Sequence, residues 1–403
     1  MSRAKRAAIV MNENIAPIPF RILKFCGLWR PVTWSSWKKR AYCSFTALVL
    51  FMLISMMMAV FIRVCEMPMT EDVFAENIFL MFALINAIFK AINLLISRGR
   101  FIKLLNMIQN KRWQNLRNAQ EIEIREKYNK TIRKISIYFT SAVSIAIVLR
   151  LTSPLFEPND EIKLPVESYC PCDISNAGCY WAIYWHQAIG TGIATLTHAS
   201  KDSLISALLL KTCFQLEILK NRLLSIPKLC ASAKRSDDDE DASARIPSLE
   251  SRLITECVRD HESIFKFANL LNDTLNVLLF GQLAVTLPNL CLSVYLMSKQ
   301  SIGGMEFMMT FQFFMAVVIE LYFFCWYGNE VTLNSLEVEN AVHEMDWTSL
   351  SIKSRKELLF IMKRTSKPIL FSVGPIMNMN IDSFLSIMKT SYSAFSVLQS
   401  TDS

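Results

Sequence analysis

The chain of 403 residues is 52% hydrophobic and only 19% charged, and its 43 Lys and Arg outnumber 35 Asp and Glu for a net charge of +8. That balance excludes an ordinary soluble domain, in which about 25% of residues are charged, and points to a chain that crosses a membrane repeatedly. Ten glycines and four histidines (His186, His198, His261 and His343), with no nucleotide-binding loop, zinc spacing or hydrolase elbow, argue against an enzyme. No catalytic residue, metal or cofactor is expected.

Residues 1–42 hold nine Lys and Arg against one acid, Glu13, and read as a cytoplasmic N-terminus. Cys43 to Ile62 then runs without a charge for the roughly 20 apolar residues a spanning helix needs. The segment before it is too long for a signal peptide, so this first span should stay in the mature protein. Further spans are expected at about Val73–Ile96, Ser136–Thr152, Trp181–Leu210, Leu275–Met297, Phe307–Tyr327 and Met377–Leu398, the fourth and the last being the least hydrophobic. The fold class expected is an all-α membrane protein of seven transmembrane helices.

Basic residues concentrate in cytoplasmic loops. The stretch Cys65–Asp72 is acidic, Arg98–Lys134 is strongly basic and Ser153–Tyr180 is acidic again, which gives a cytoplasmic N-terminus and an extracellular C-terminus. The excess of +8 then resides in inward-facing loops and gives no reason to invoke nucleic acid. Both glycosylation sequons, at Asn129 and Asn272, fall on the inner side, where no glycan is added. Cys170, Cys172 and Cys179 fall outside, where they are either free thiols or contain a disulfide whose connectivity spacing cannot decide.

Residues 211–274 should extend spans four and five into the cytosol as helices. Leu209, Cys213, Leu216, Leu219 and Leu223 repeat at helical spacing, as do Leu253, Cys257, Ile264, Phe267 and Leu271. Such stripes need partners, in the same subunit or a neighbouring one. Between them Ala233–Ser248, "AKRSDDDEDASARIPS", reads as a disordered, solvated excursion; its carboxylates lack the glycine turn and spacing of a calcium loop. The segment 328–376 follows span six, and 377–400 forms the seventh helix.

In that helix Asp382, Ser386, Lys389, Ser393, Ser396 and Ser400 are spaced by 4, 3, 4, 3 and 4 residues, which places them on one narrow face. Phe384, Leu385, Ile387, Met388, Phe395 and Leu398 oppose them. A polar stripe at membrane depth either lines a water-filled path shared by several subunits or lets small serines pack closely against neighbouring helices. Glu320, deep in span six, either influences cations in that path or bonds to another helix, and Lys201 and Asp202 lie at the inner boundary or pair within the bundle.

"FLSIMKTSYSAFSVLQ", Phe384–Gln399, resembles the end of insect odorant receptors, whose last helix carries a Ser-Tyr-Ser-x-Phe run. "FFCWYGNEVTLNSLEVENAVHEMDW", Phe323–Trp347, and "KPILFSVGPIMNMN", Lys367–Asn380, resemble the same family's link between its sixth and seventh spans. The resemblance implies an odorant-gated, non-selective cation channel, a heterotetramer of this subunit with an odorant co-receptor, in the plasma membrane of an olfactory neuron dendrite. It implies that the cytoplasmic helices form an anchor between subunits and that the seventh helix lines the pore, with a gate within Phe395, Ser396, Val397 and Leu398.

It further implies a pocket for a volatile ligand in the outer half of the bundle, between spans two, three, four and six. At that depth lie Phe79, Phe82, Val143, Ile147, His186, Ile189, Phe311 and Phe314. His186 and Gln187 either bond a carbonyl-bearing ligand or are satisfied by neighbours. Two alternatives are a gustatory relative and a seven-helix receptor acting through G proteins. The first more often ends in a Thr-Tyr and Gln-Phe pattern, and the second needs motifs that Arg150-Leu151-Thr152 and Asn380-Ile381-Asp382 do not match.

Overall fold

A computed structural model describes residues 16–31, 34–66, 71–152, 164–236, 242–302 and 304–401; within these, side chains are described except at 71–73, 234–236, 242–246, 305 and 398–401. The described chain is almost wholly helical: α1 (Pro17–Phe25), α2 (Ser36–Cys65), α3 (Glu71–Ile108), α4 (Lys111–Gln114), α5 (Ala119–Thr152), α6 (Ala177–Ser236), α7 (Ala242–Lys299), α8 (Met305–Glu344), α9 (Ile352–Thr365) and α10 (Ile381–Thr401), with strands β1 (Ser372–Val373) and β2 (Met377–Asn378) before the last helix. The helices α2, α3, α5, α6, α7, α8 and α10 carry the seven expected spans.

Five of them, α2, α3, α5, α7 and α8, contain stretches long and apolar enough to cross a membrane. The other two are α6 and α10, and in α6 the shortfall has a physical reason. In α6, Ser200, Lys201, Asp202, Ser203 and Ser206 are buried inside the bundle, so the polarity never meets lipid. Conversely, α2 exposes Leu48, Phe51, Ile54 and Phe61, as suits a peripheral helix in hydrocarbon.

Several helices outrun the bilayer. The 60 residues of α6 rise about 90 Å at 1.5 Å each, against a hydrocarbon core of about 30 Å. All ten residues of the two expected apolar stripes are buried, and α6 packs on α5, α7 and α8, so the extensions find partners within one subunit. The helices also overrun the charged run 233–248 from both sides, to Ser236 and from Ala242, while residues 237–241 lie outside the described residues. The N-terminal segment is likewise engaged: α1 docks on α5 and α6 through buried Phe20 and Leu23.

A buried charge cluster fastens the extensions. The Arg222 guanidinium on α6 donates to Glu121 Oε1 and Oε2 on α5 at 2.9 and 3.1 Å, to Asp260 Oδ2 on α7 at 2.8 Å and to the Asn115 carbonyl at 2.7 Å. Glu121 also accepts from the Arg117 backbone N–H at 2.8 Å, and its own N–H donates to Asn118 Oδ1 at 2.8 Å, which caps α5.

The seventh helix begins at Ile381, not Met377. Residues 372–378 form a small antiparallel hairpin, with Ser372 opposite Asn378 and Val373 opposite Met377. Its turn needs Gly374, at φ +59°, where a side chain would be strained and would meet Phe280. Gly328 on α8 lets the hairpin's exit approach closely, since a Cβ there would lie 2.5 Å from that of Met379. Asn272 accepts the Ser372 N–H at 2.9 Å and Asn276 that of Gly374 at 2.6 Å, so the Asn272 sequon is spent on structure.

Outside the bundle Cys172 and Cys179 form a disulfide, and Cys170 is a half-buried free thiol. Of the open alternatives for the three cysteines, this is one bridge and one thiol.

Truncating Arg222 to Ala leaves Glu121 and Asp260 without their common cation. A cost of about 3–5 kcal/mol is expected, read as a fall in the melting temperature of the detergent-solubilised protein, whereas a surface charge such as Lys130→Ala should change it by less than about 0.5 kcal/mol.

Candidate functional site

Four helices converge on a lysine the sequence reading passed over. Lys90 of α3 is fully buried, and its ammonium lies 2.7 and 2.8 Å from the two Asp202 oxygens of α6 and 2.6 Å from Glu320 Oε1 of α8. The Gln282 side-chain amide of α7 donates to the same Glu320 oxygen. His198 Nδ1 sits 2.9 Å from Asp202 Oδ2, and Asn86 Nδ2 lies 3.1 Å from His198 Nε2. Ligand atoms of His198, Asp202 and Glu320 fall within 4.8 Å of one another, a grouping that would suit a metal ion, but the Lys90 ammonium lies among them as the cation. Lys201 points the other way, donating to the Lys90 carbonyl at 2.7 Å and to Asn93 Oδ1 at 3.0 Å. Of the two readings of Glu320 and of Asp202, bonding between helices within the bundle is the one the geometry shows.

This cluster closes one end of a cavity of about 570 Å³ between α3, α5, α6, α7 and α8. At the other end stand Glu76, Arg150 and Glu306, with Arg150 Nη1 4.0 Å from Glu76 Oε1. Val166 closes one side of the cavity. Gln187 holds that residue's backbone through both its groups, N–H to Oε1 at 3.0 Å and Nε2 to the carbonyl at 2.9 Å.

Of the eight pocket candidates, Phe79, Val143, Ile147 and Phe311 line the cavity, while Phe82, His186, Ile189 and Phe314 do not. His186 bonds Ser55 Oγ of α2 at 2.9 Å, Ile189 is exposed, and Phe314 packs into the main core. The error on α6 is one of rotation. Its cavity face runs Thr191, Ala194, His198 and Asp202, and a shift of one residue turns a side chain by about 100°. Phe313, Tyr138, Thr286 and Asn289 also line the cavity and were missed. Phe313 meets Phe79 edge to face with ring centroids 4.5 Å apart.

On α10 the polar stripe faces away from its own chain. Asp382, Ser386, Lys389, Ser393 and Ser396 are exposed, while Ile387 and Ser391 are buried against α7 and α8. The hydroxyls of Ser393 and Ser396 bond back to the carbonyls of Lys389 and Tyr392 at 3.0 and 3.2 Å, so among the described residues they join α10 to no other helix. Of the gate candidates Phe395 is half-buried and Val397 is 63% exposed. The side chains of Leu398 and Ser400 lie outside the described residues.

Five of the long helices are apolar enough to cross a membrane, and the bundle encloses a largely apolar cavity of small-molecule size closed at one end by a buried ion cluster, the architecture of a multi-pass membrane protein. Residues 71–392 match the family model described as 7tm Odorant receptor. Odorant receptor Or1 of Anopheles gambiae is 22% identical over 69% of this chain and 71% of its own length. Odorant receptor 46a, isoform B, of Drosophila melanogaster is 24% identical over 95% of this chain and 97% of its own. The olfactory receptor OR5 of Machilis hrabei, solved in complex with eugenol, has the same fold, with a TM-score of 0.82, 13% identity and coverage of 98% and 99%. The chain belongs to the 7tm odorant receptor family: it is an insect odorant receptor and not an enzyme.

Replacing Lys90 by Met strands two buried carboxylates. The expected outcome is a loss of about 3–5 kcal/mol and of cell-surface protein, and adding Glu320→Gln should restore part of both, as counted by surface labelling.

Proposed function

We propose that the chain is the odorant-binding subunit of an odorant-gated, non-selective cation channel, assembled with an odorant co-receptor in the plasma membrane of an olfactory neuron dendrite. The observation that carries this reading is the outward polar stripe of α10. A membrane helix that turns Asp382, Ser386, Lys389, Ser393 and Ser396 away from its own subunit needs water or another subunit against them. Around a shared axis such stripes line a path for ions, with Ser400 at its end and the stretch Phe395 to Leu398 as its gate.

Other features support the assembly. Leu359 and Phe360 on α9, with Leu370 beside the hairpin and Ile376 in its turn, expose apolar side chains outside the expected spans, as an anchor between subunits requires. The alternating loop charges favour a cytoplasmic N-terminus and an extracellular C-terminus, and the Cys172–Cys179 disulfide suits an outer, oxidising side.

The odorant occupies the cavity, in contact with Phe79, Val143, Ile147 and Phe311. The Machilis hrabei receptor holds eugenol, and a volume of about 570 Å³ admits molecules of that size. Glu320, Thr286 and Val317 line both this cavity and a narrow cleft shared with Ile387 of α10. Through them, occupancy of the cavity acts on the helix that bears the stripe.

Cells expressing the chain with an insect co-receptor should give an odorant-evoked cation current that survives block of G-protein signalling and vanishes without the co-receptor. A second-messenger response with no fast current would overturn the channel reading. Lys389→Glu should raise the calcium permeability relative to sodium, measured as a positive shift of the reversal potential in a calcium bath; an unchanged potential would remove Lys389 from the path.

A further inference from the structure

We propose that a second cavity, among the helical extensions on the basic side of the molecule, binds a small soluble anion carrying several phosphate groups. This cavity of about 610 Å³ lies where α4 and the link after it meet α6 and α7, and it shares no lining residue with the one described above. Its chemistry does not depend on the channel reading.

Five basic side chains line it, Lys111, Arg112, Arg117, Arg222 and Arg259, against two acids, Glu256 and Asp260. Arg222 is buried and already held by Glu121 and Asp260, so it is not the one left for a ligand. Arg112 Nε lies 3.5 Å from Asp260 Oδ1, an acid it shares with Arg222, and Arg117 Nη2 lies 2.6 Å from Glu256 Oε2. Both of these arginine side chains stay more than 30% exposed, and exposed pairs of that kind contribute little, so an anion of higher charge displaces the carboxylates. Lys111 and Arg259 are exposed and pair with no acid among the described residues. Basic side chains scattered over a convex surface are each solvated separately. Here they line one hollow, where their own carboxylates leave an excess of positive charge that concentrates counter-anions.

Phosphate is the anion that suits this set. Its oxygens accept two parallel N–H bonds from each guanidinium fork, and the Lys111 ammonium adds a point charge. The volume falls within the range of about 300–1,000 Å³ typical of sites for molecules much larger than one phosphate, so several phosphates on one carrier are needed to reach cations on α4, on the link and on α7. Position favours a soluble carrier over a lipid headgroup. Arg222 lies twelve residues past the expected end of its span at Leu210, and Arg259 sixteen residues before Leu275. At 1.5 Å per residue these are about 18 and about 24 Å from the hydrocarbon, whereas the headgroup layer on each side is only about 5–8 Å deep.

The test is the melting temperature of the full chain purified in detergent, titrated with inositol hexakisphosphate, ATP and inorganic phosphate at constant ionic strength. Inositol hexakisphosphate at micromolar concentration should raise it by about 2 °C or more. The double variant Lys111→Gln with Arg259→Gln removes two unpaired surface cations, so it should fold as the unaltered chain does, and it should need about tenfold or more ligand for the same rise. Lys130→Gln, an exposed cation elsewhere, should leave the titration unchanged. No rise with either polyphosphate, a rise only at tens of millimolar inorganic phosphate, or the same titration in the double variant would each overturn the proposal. A lipid source is examined in nanodiscs with and without phosphatidylinositol bisphosphate. A rise with that lipid which the double variant abolishes, in a chain indifferent to the soluble polyphosphates, would overturn the soluble ligand and assign the hollow to a headgroup.

Discussion

In a bilayer core no water is available to a polar side chain, so each one must bond within the protein, meet a partner subunit or open onto a water-filled space. This chain answers in opposite ways at two places. Inside the bundle, Lys90 draws Asp202 and Glu320 onto one ammonium and joins α3, α6 and α8, with Gln282 bringing in α7. At the last helix, α10 turns Asp382, Ser386, Lys389, Ser393 and Ser396 outward together with Leu385, Tyr392 and Val397, and packs Ile387 and Ser391 inward. The first arrangement closes a cavity; the second leaves a surface that one subunit cannot satisfy.

The two are neighbours. Glu320 belongs to the ion cluster, to the cavity wall and to the cleft against α10. A buried ion pair contributes little net stability compared with well-packed apolar groups, because desolvation offsets the attraction. Its retention here is better explained by position: it fixes the mutual placement of four helices around the cavity.

Much of the architecture was legible in the sequence because it rests on periodicity. The buried stripes from Leu209 to Leu223 and Leu253 to Leu271 repeat at helical spacing, and the α10 stripe can be counted out by steps of three and four. The hairpin before α10 was not legible, since its two-residue strands carry no alternation and depend on Asn272 and Asn276 far upstream. Nor was Lys90. A single lysine in an apolar run reads as a blemish until its partners, 112 and 230 residues away, are brought beside it. Rotation about the helix axis was not legible either: His186 bonds Ser55 of α2, while Gln187, one position on, holds the backbone of Val166. Topology fixes how far along a helix a residue lies; only packing fixes which way it points.

The proposed channel requires that the α10 stripe face a water-filled path in the assembled receptor. Cysteine substitutions along α10, coexpressed with a co-receptor and exposed to a membrane-impermeant thiol reagent during odorant application, test it most directly. Ser386→Cys and Ser393→Cys should be modified, with a change in current, while Ile387→Cys stays unreactive. Reaction at neither serine position, in channels that still open to odorant, would contradict the account and assign the stripe to packing between subunits.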